Sequence, residues 1–208
     1  VIDKASEISG LDPKEICFEE NEKINITEYT QIAMLAVETA ILKALEEKGI
    51  TPDAAGGLSL GEYGALITSK AMTMEDAFAV VRKRGIFMQE AVPTGGAMSA
   101  VLGTDASVIE KICQETEGIV SIANYNCPGQ IVITGEADAV ERASEALKAA
   151  GTKRVIPLKV SGPFHSKMLT GAGEKLGEVL QNVTLHDVEI PYTTNVTAEY
   201  VRDKDEIK

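Results

Sequence analysis

Apolar and polar positions follow a helical period in the first part of this chain and give way to short β-like runs in the middle. Over residues 27–48 the apolar side chains Ile32, Leu35, Val37, Ile41, Leu42 and Leu45 recur close to every 3.6 residues. That spacing predicts a long amphipathic helix, opened by Thr27 and stopped by Gly49. Residues 1–26 show no clear period, and only Asp12-Pro13 signals the start of a short helix there. A weak strand is expected over 53–57 and a helix over 62–69. Thr73, with Asp76 three residues on, reads as a capping box for a further helix to about Glu90.

Pro93-Thr94-Gly95-Gly96 breaks the chain, and the pattern changes. Strands are expected over 97–102, 119–123, 130–134 and 154–160, and helices over 106–115 and 137–150. Asn126-Cys127-Pro128-Gly129 forms the turn between the middle strands. The order β-α-β-β-α-β is the ferredoxin-like one. It predicts an α/β protein in which a small ferredoxin-like subdomain, residues 96–160, is inserted into a larger unit made of 1–95 and 161–208. A helix over 167–181 and a strand over 190–196 complete the larger unit.

The chain has 208 residues, 44% of them hydrophobic, enough for one large domain or a domain with a subdomain. Twenty basic residues against 32 acidic ones give a net charge of −12, which would repel a nucleic-acid duplex or an anionic membrane. There is no signal-peptide pattern and no apolar run long enough to span a bilayer. Cys17, Cys113 and Cys127 lie far apart without C-x-x-C spacing, which argues against a disulfide framework or zinc site and predicts a cytoplasmic protein. Val1 is not a Met, so further sequence is expected ahead of it.

The chemistry centres on Gly57-Leu58-Ser59-Leu60-Gly61-Glu62-Tyr63, a G-x-S-x-G pentapeptide running into a predicted helix. Flanking glycines permit a sharp strand-to-helix turn that exposes the serine Oγ. The N–H of Leu60 would then stand at a helix N-terminus, where it can stabilise an oxyanion. The blander alternative is a glycine-rich turn in which Ser59 caps the next helix. Only two histidines are present. His165, in Ser161-Gly162-Pro163-Phe164-His165-Ser166, is held on a turn before a helix and is the candidate base; His186 lies in an ordinary polar connection. No Asp or Glu stands at a diagnostic position for a third triad member. Basic clusters at Arg82-Lys83-Arg84 and at Lys153-Arg154 with Lys159 read as solvated surface, or as a face toward an anion or acidic protein.

Four motifs occur in order: the Ser59 pentapeptide, Arg82–Ala91, Asn124-Tyr125-Asn126-Cys127-Pro128-Gly129-Gln130, and the His165 hexapeptide. Together they resemble the malonyl-CoA:acyl-carrier-protein transacylase family of fatty acid synthesis, from about Thr27 to Ala198. The resemblance implies an α/β-hydrolase-like large part with the inserted subdomain. It implies that Ser59 carries the malonyl group as an ester and that His165 is its general base. Arg84 would hold the malonyl carboxylate, a task suited to a planar guanidinium fork. Phe164 and Leu60 match residues that go with malonyl over methylmalonyl, and Asn124 and Gln130 would shape the cleft or satisfy turn backbone. The implied partners are malonyl-CoA, as substrate, and an acyl carrier protein. Lys153 and Arg154 would be docking points for the acidic carrier. No metal or cofactor is implied.

The chain departs from the family at Leu58, where the usual residue is His. The family's opening strand and Gly-Gln-Gly-Ser-Gln-like loop, which supplies a second oxyanion donor, and its closing Gly-Pro-Gly-like segment are not found. The expectation is therefore truncation at both ends. Two rival readings remain: a serine hydrolase or esterase using the same elbow, and a non-catalytic module that binds a carrier protein.

Overall fold

The computed structural model describes residues 1–160 and 162–207, so Ser161 of the histidine motif lies outside the described residues. The protein is α/β, and its chain forms two compact units. The first comprises Val1–Ile24, Glu28–Ile86 and the segment from Leu176 on; the second comprises Asn25–Thr27 and Phe87–Lys175.

In the first unit the acidic lead-in is more regular than expected. Helix α1 spans Ile2–Ser9, and Gly10, at φ 70°, closes it by donating its N–H to Ser6 O at 2.9 Å. Ile2, Ala5 and Ile8 form the apolar side of α1 against the core. Helix α2, Pro13–Phe18, starts where expected: the Asp12 carboxylate accepts from Lys14 N at 2.9 Å, and Pro13 fills the first position, which needs no N–H.

Helix α3, Thr27–Glu47, has the predicted length but a different buried face. Ile32, Ala33, Leu35, Ala36 and Thr39 are buried, whereas Ile41 and Leu45 are 56% and 42% exposed. The alanines supply the i, i+3, i+4 pattern that the larger side chains obscured. Ile41 and Leu45 instead continue a second stripe begun by Met34. Strand β1, Ala55–Gly56, precedes α4, Gly61–Thr68, and α5, Met74–Ala91. The predicted cap of α5 is present, with Asp76 N donating to Thr73 Oγ1 at 3.0 Å. The core joins α3 to Tyr63, Leu66 and Ile67 of α4 and to Phe78, Val80 and Val81 of α5.

The second unit holds β2 (Gly96–Leu102), α6 (Ala106–Glu115), β3 (Val120–Cys127), β4 (Gln130–Glu136), α7 (Ala137–Ala149) and β5 (Arg154–Pro157). Its antiparallel sheet runs β3-β4-β2-β5. Cys127 pairs with Gln130, so Pro128-Gly129 is a two-residue turn, with Gly129 at φ 81°. Val101, Ile109, Ile133, Val140 and Leu147 form the core between sheet and helices.

Beyond that sheet, Lys167–Leu169 is a 3-10 turn capped by Ser166, and α8 spans Thr170–Leu180. The strand expected over 190–196 shrinks to β6, Tyr192–Thr193, because Thr194 opens a tight turn. Its Oγ1 accepts from Val196 N at 3.0 Å and its carbonyl from Ala198 N at 3.1 Å. β6 pairs in parallel with β1 and antiparallel with β7, Tyr200–Val201, which sequence periodicity does not reveal. Among the described residues no helix is long and apolar enough to cross a membrane.

Candidate active site

Ser59 sits between β1 and α4 with φ at 54°, in the left-handed region that side chains rarely adopt. The turn is tight enough to require Gly57: a Cβ there would lie 2.0 Å from the Gly61 carbonyl oxygen. Gly61 itself faces open space. Close approach of the backbone thus demands the first glycine of the motif, while among the described residues nothing within 4 Å crowds a side chain at the second. Leu60 stands at the N-cap of α4, its side chain buried in the core. Among the described residues its N–H has no acceptor, and the helix dipole favours negative charge at that point. Leu58, in the family's histidine position, is 65% exposed.

Arg84 comes from α5 and reaches the serine. Its Nη2 donates to Ser59 Oγ at 3.1 Å, and its Nη1 donates to Gln31 Oε1 on α3. The guanidinium also lies 5.9 Å from the Tyr63 ring centroid, within cation–π range. Burial pushes the Arg84 pKa below the usual arginine range, partly opposed by Tyr63. Burial raises the Tyr63 phenol in turn, with Arg84 pulling it down. A desolvated cation that still hydrogen-bonds a serine hydroxyl is prepared to receive an anion.

The basic cluster around Arg84 therefore does not behave as one patch. Arg82 donates to Ser9 O at 3.3 Å and pairs with Glu28 at 3.2 Å, tying α5 to neighbouring helices, while Lys83 is exposed.

One residue that periodicity and motif reading passed over stands at the centre of the elbow. Asn195 Oδ1 accepts from Ser59 N at 2.8 Å, and its Nδ2 donates to Gly57 O at 2.8 Å and to Glu62 Oε2. Gln31 was equally silent, a polar residue on an apolar helix face. It is 6% exposed, and burial of a glutamine beside an arginine is the only signal for it.

The remaining candidates belong to the second unit. His165 is exposed and, like Ser59, has a positive φ, 59°. Its turn is held by Phe164 N to Gly162 O at 3.1 Å and Ser166 N to Pro163 O at 3.2 Å. Phe164 is partly buried against Met98, Ala100 and Val132. Asn124 follows a register shift on β3 and pairs with Val132, and Gln130 opens β4 opposite Leu102. Lys153, Arg154 and Lys159 are exposed on and beside β5. His186, in the first unit, is exposed and donates its backbone N–H to Ala71 O at 2.9 Å.

Residues 5–206 match the acyl transferase domain family. A malonyl CoA-acyl carrier protein transacylase of Bacillus subtilis is 46% identical over the whole chain and 67% of its own length. The crystal structure of MCAT from Streptococcus pneumoniae matches 99% of this chain and 68% of its own, with 50% identity and a TM-score of 0.91. A malonyl-transacylase solved in complex with its type II PKS acyl-carrier protein superposes with a TM-score of 0.94 at 40% identity, covering 99% of this chain and 68% of that one. The chain belongs to the acyl transferase domain family, and within it to the malonyl CoA-acyl carrier protein transacylases.

Proposed function

We propose that this protein moves a malonyl group from malonyl-CoA to the phosphopantetheine thiol of an acyl carrier protein, through a malonyl ester on Ser59, in fatty acid biosynthesis. The observation that carries the reading is the 3.1 Å contact between Arg84 Nη2 and Ser59 Oγ. A partly buried guanidinium at the nucleophile suits an acyl group that ends in a carboxylate and gives a neutral ester nothing to bind.

In the first half-reaction Ser59 Oγ attacks the thioester carbonyl and gives its proton to His165. The Leu60 N–H steadies the tetrahedral oxyanion, and the proton passes from His165 to the departing sulfur, releasing coenzyme A. In the second half the carrier thiol loses its proton to His165 and attacks the malonyl-Ser59 ester, and the serine oxygen leaves protonated. Arg84 holds the malonyl carboxylate through both. The reaction so written uses no metal or cofactor. Phe164 would limit room at the α-carbon and Asn124 would line the acyl site, while Leu60, whose side chain is committed to the core, would act through its N–H.

We also propose the finer architecture: an α/β-hydrolase-like part of residues 1–95 and 161–208, with a ferredoxin-like insertion over 96–160. The antiparallel order β3-β4-β2-β5 with α6 and α7 supports the insertion. Exposed Lys153 and Arg154 suit an acidic carrier, and three free cysteines suit the cytoplasm. Intact-mass analysis after exposure to malonyl-CoA tests the reading. One malonyl group is expected on the chain and none on Ser59→Ala. Free malonate with no carrier charging would mark a hydrolase instead.

A further inference from the structure

β1 and β6 pair in parallel with Ala55 opposite Tyr192 and Gly56 opposite Thr193. Continued by two more residues, the same register sets Leu58 opposite Asn195. In a parallel ladder the residue opposite position i donates to the carbonyl of i−1 and accepts from the N–H of i+1. For Leu58 those groups are Gly57 O and Ser59 N, the two that the Asn195 carboxamide holds, each at 2.8 Å. The backbone of Asn195 has meanwhile left the sheet, and its N–H points to Glu62 Oε2 at 3.3 Å. Carboxamide orientation is fixed by this pattern, since a flipped amide would set donor against donor and carbonyl against carbonyl.

We infer that Asn195 is a positioning residue: its side chain stands in for a strand's backbone, carrying the ladder one rung past the end of β6 to lock the nucleophile elbow. The inference rests on Ser59 being the nucleophile, as proposed above. The elbow needs such a clamp because Ser59 is held at positive φ between two glycines, where the unaided chain has every route to relax. The Gly57 carbonyl and the Ser59 N–H flank Leu58, so fixing both fixes the peptide that aims Ser59 Oγ. Glu62 holds the outer edge of the carboxamide, through Nδ2, and ties it to the first turn of α4.

The test compares wild type, N195A, N195D and N195D/E62Q, each checked for folding by circular dichroism. Two readouts are taken: Ser59 acylation by malonyl-CoA, resolved into kcat and KM, and labelling of Ser59 by a fluorophosphonate probe that has no carboxylate. N195A is expected to slow both reactions on the order of 10²-fold, as for a misplacement of about 1 Å, with KM for malonyl-CoA little changed. N195D keeps the acceptor for Ser59 N–H but sets a second carboxylate beside Glu62, so N195D/E62Q should react faster than N195D. A folded N195A that reacts with both reagents within about twofold of wild type overturns the inference. So does a loss confined to malonyl-CoA, because the clamp acts on the serine and not on the substrate. If N195A does not fold, N195D decides, and an unchanged labelling rate overturns the inference. A wild type labelled by the probe but not by malonyl-CoA contradicts the malonyl reading while the variant series still judges Asn195. A wild type inert to both overturns both.

Discussion

Ser59 occupies a backbone conformation that costs a side-chain-bearing residue on the order of 1–3 kcal/mol. Ser59→Gly should therefore be more stable than Ser59→Ala by about 0.5–1 kcal/mol in thermal melts, although both lack the nucleophile. Gly57→Ala should do the opposite, since its Cβ would fall 2.0 Å from backbone, and both acylation and melting temperature should drop. Arg84→Ala should cut malonyl transfer by about 2–5 kcal/mol, roughly 30-fold to several thousand-fold, with Arg84→Lys between it and wild type. Neutral-ester turnover preserved in Arg84→Ala at wild-type malonyl rates would contradict the assignment. At this scale Ser59 was legible because glycine spacing encodes a backbone turn. Arg84 was legible only through resemblance, as one more charge on a helix. Asn195 and Gln31 were not, because their meaning lies in pairings with residues 136 and 53 positions away.

Among the elements, those closed by local chemistry were read best. The Asp12 and Thr73 caps and the Pro128-Gly129 turn lie where the residues demand them, and α6 spans the predicted residues. Elements defined by distant pairing were not: β6 is two residues long because Thr194 folds into a turn, and β7 exists only as its partner. α1 was missed: Ile2, Ala5, Ile8 and the Gly10 terminator carry it, but eight residues give too short a period to read. The buried side of α6 makes a pH prediction. Cys113 is 6% exposed there, and burial pushes its thiol from 9.0 up to about 11. Its folded pKa lies above the unfolded one, so its contribution to stability is complete below about pH 9 and is lost as pH rises through about 11. Wild type should lose melting temperature across that window more steeply than Cys113→Ala. Alkylation of the native protein should meanwhile label exposed Cys127 and spare Cys113.

For the whole molecule, the second apolar stripe of α3 has a consequence. Met34, Leu42 and Leu45 line a groove of about 640 Å³ with Ile50, Leu58 and Ala65, behind the elbow. Met34, Leu45, Ile50 and Leu58 are all more than 40% exposed. Apolar surface of that kind should bind an anilinonaphthalene dye, and Leu45→Glu with Ile50→Glu should abolish the fluorescence without loss of fold. The period of the sequence found α3 but could not say which of two stripes meets the core, since that depends on what packs beside it. The α/β class was legible, and the four strands expected after Gly96 are all present in the antiparallel sheet, with β3 running on to Cys127 and β5 ending at Pro157. Where the acyl group goes from Ser59 decides between transferase and hydrolase. The chain is loaded with radiolabelled malonyl-CoA, cleared of coenzyme A, and mixed with an acyl carrier protein bearing its phosphopantetheine thiol. Label should move from Ser59 to the carrier thiol, and Ser59→Ala should carry none at either stage. Label that appears as free malonate, or that never joins Ser59, would contradict the account.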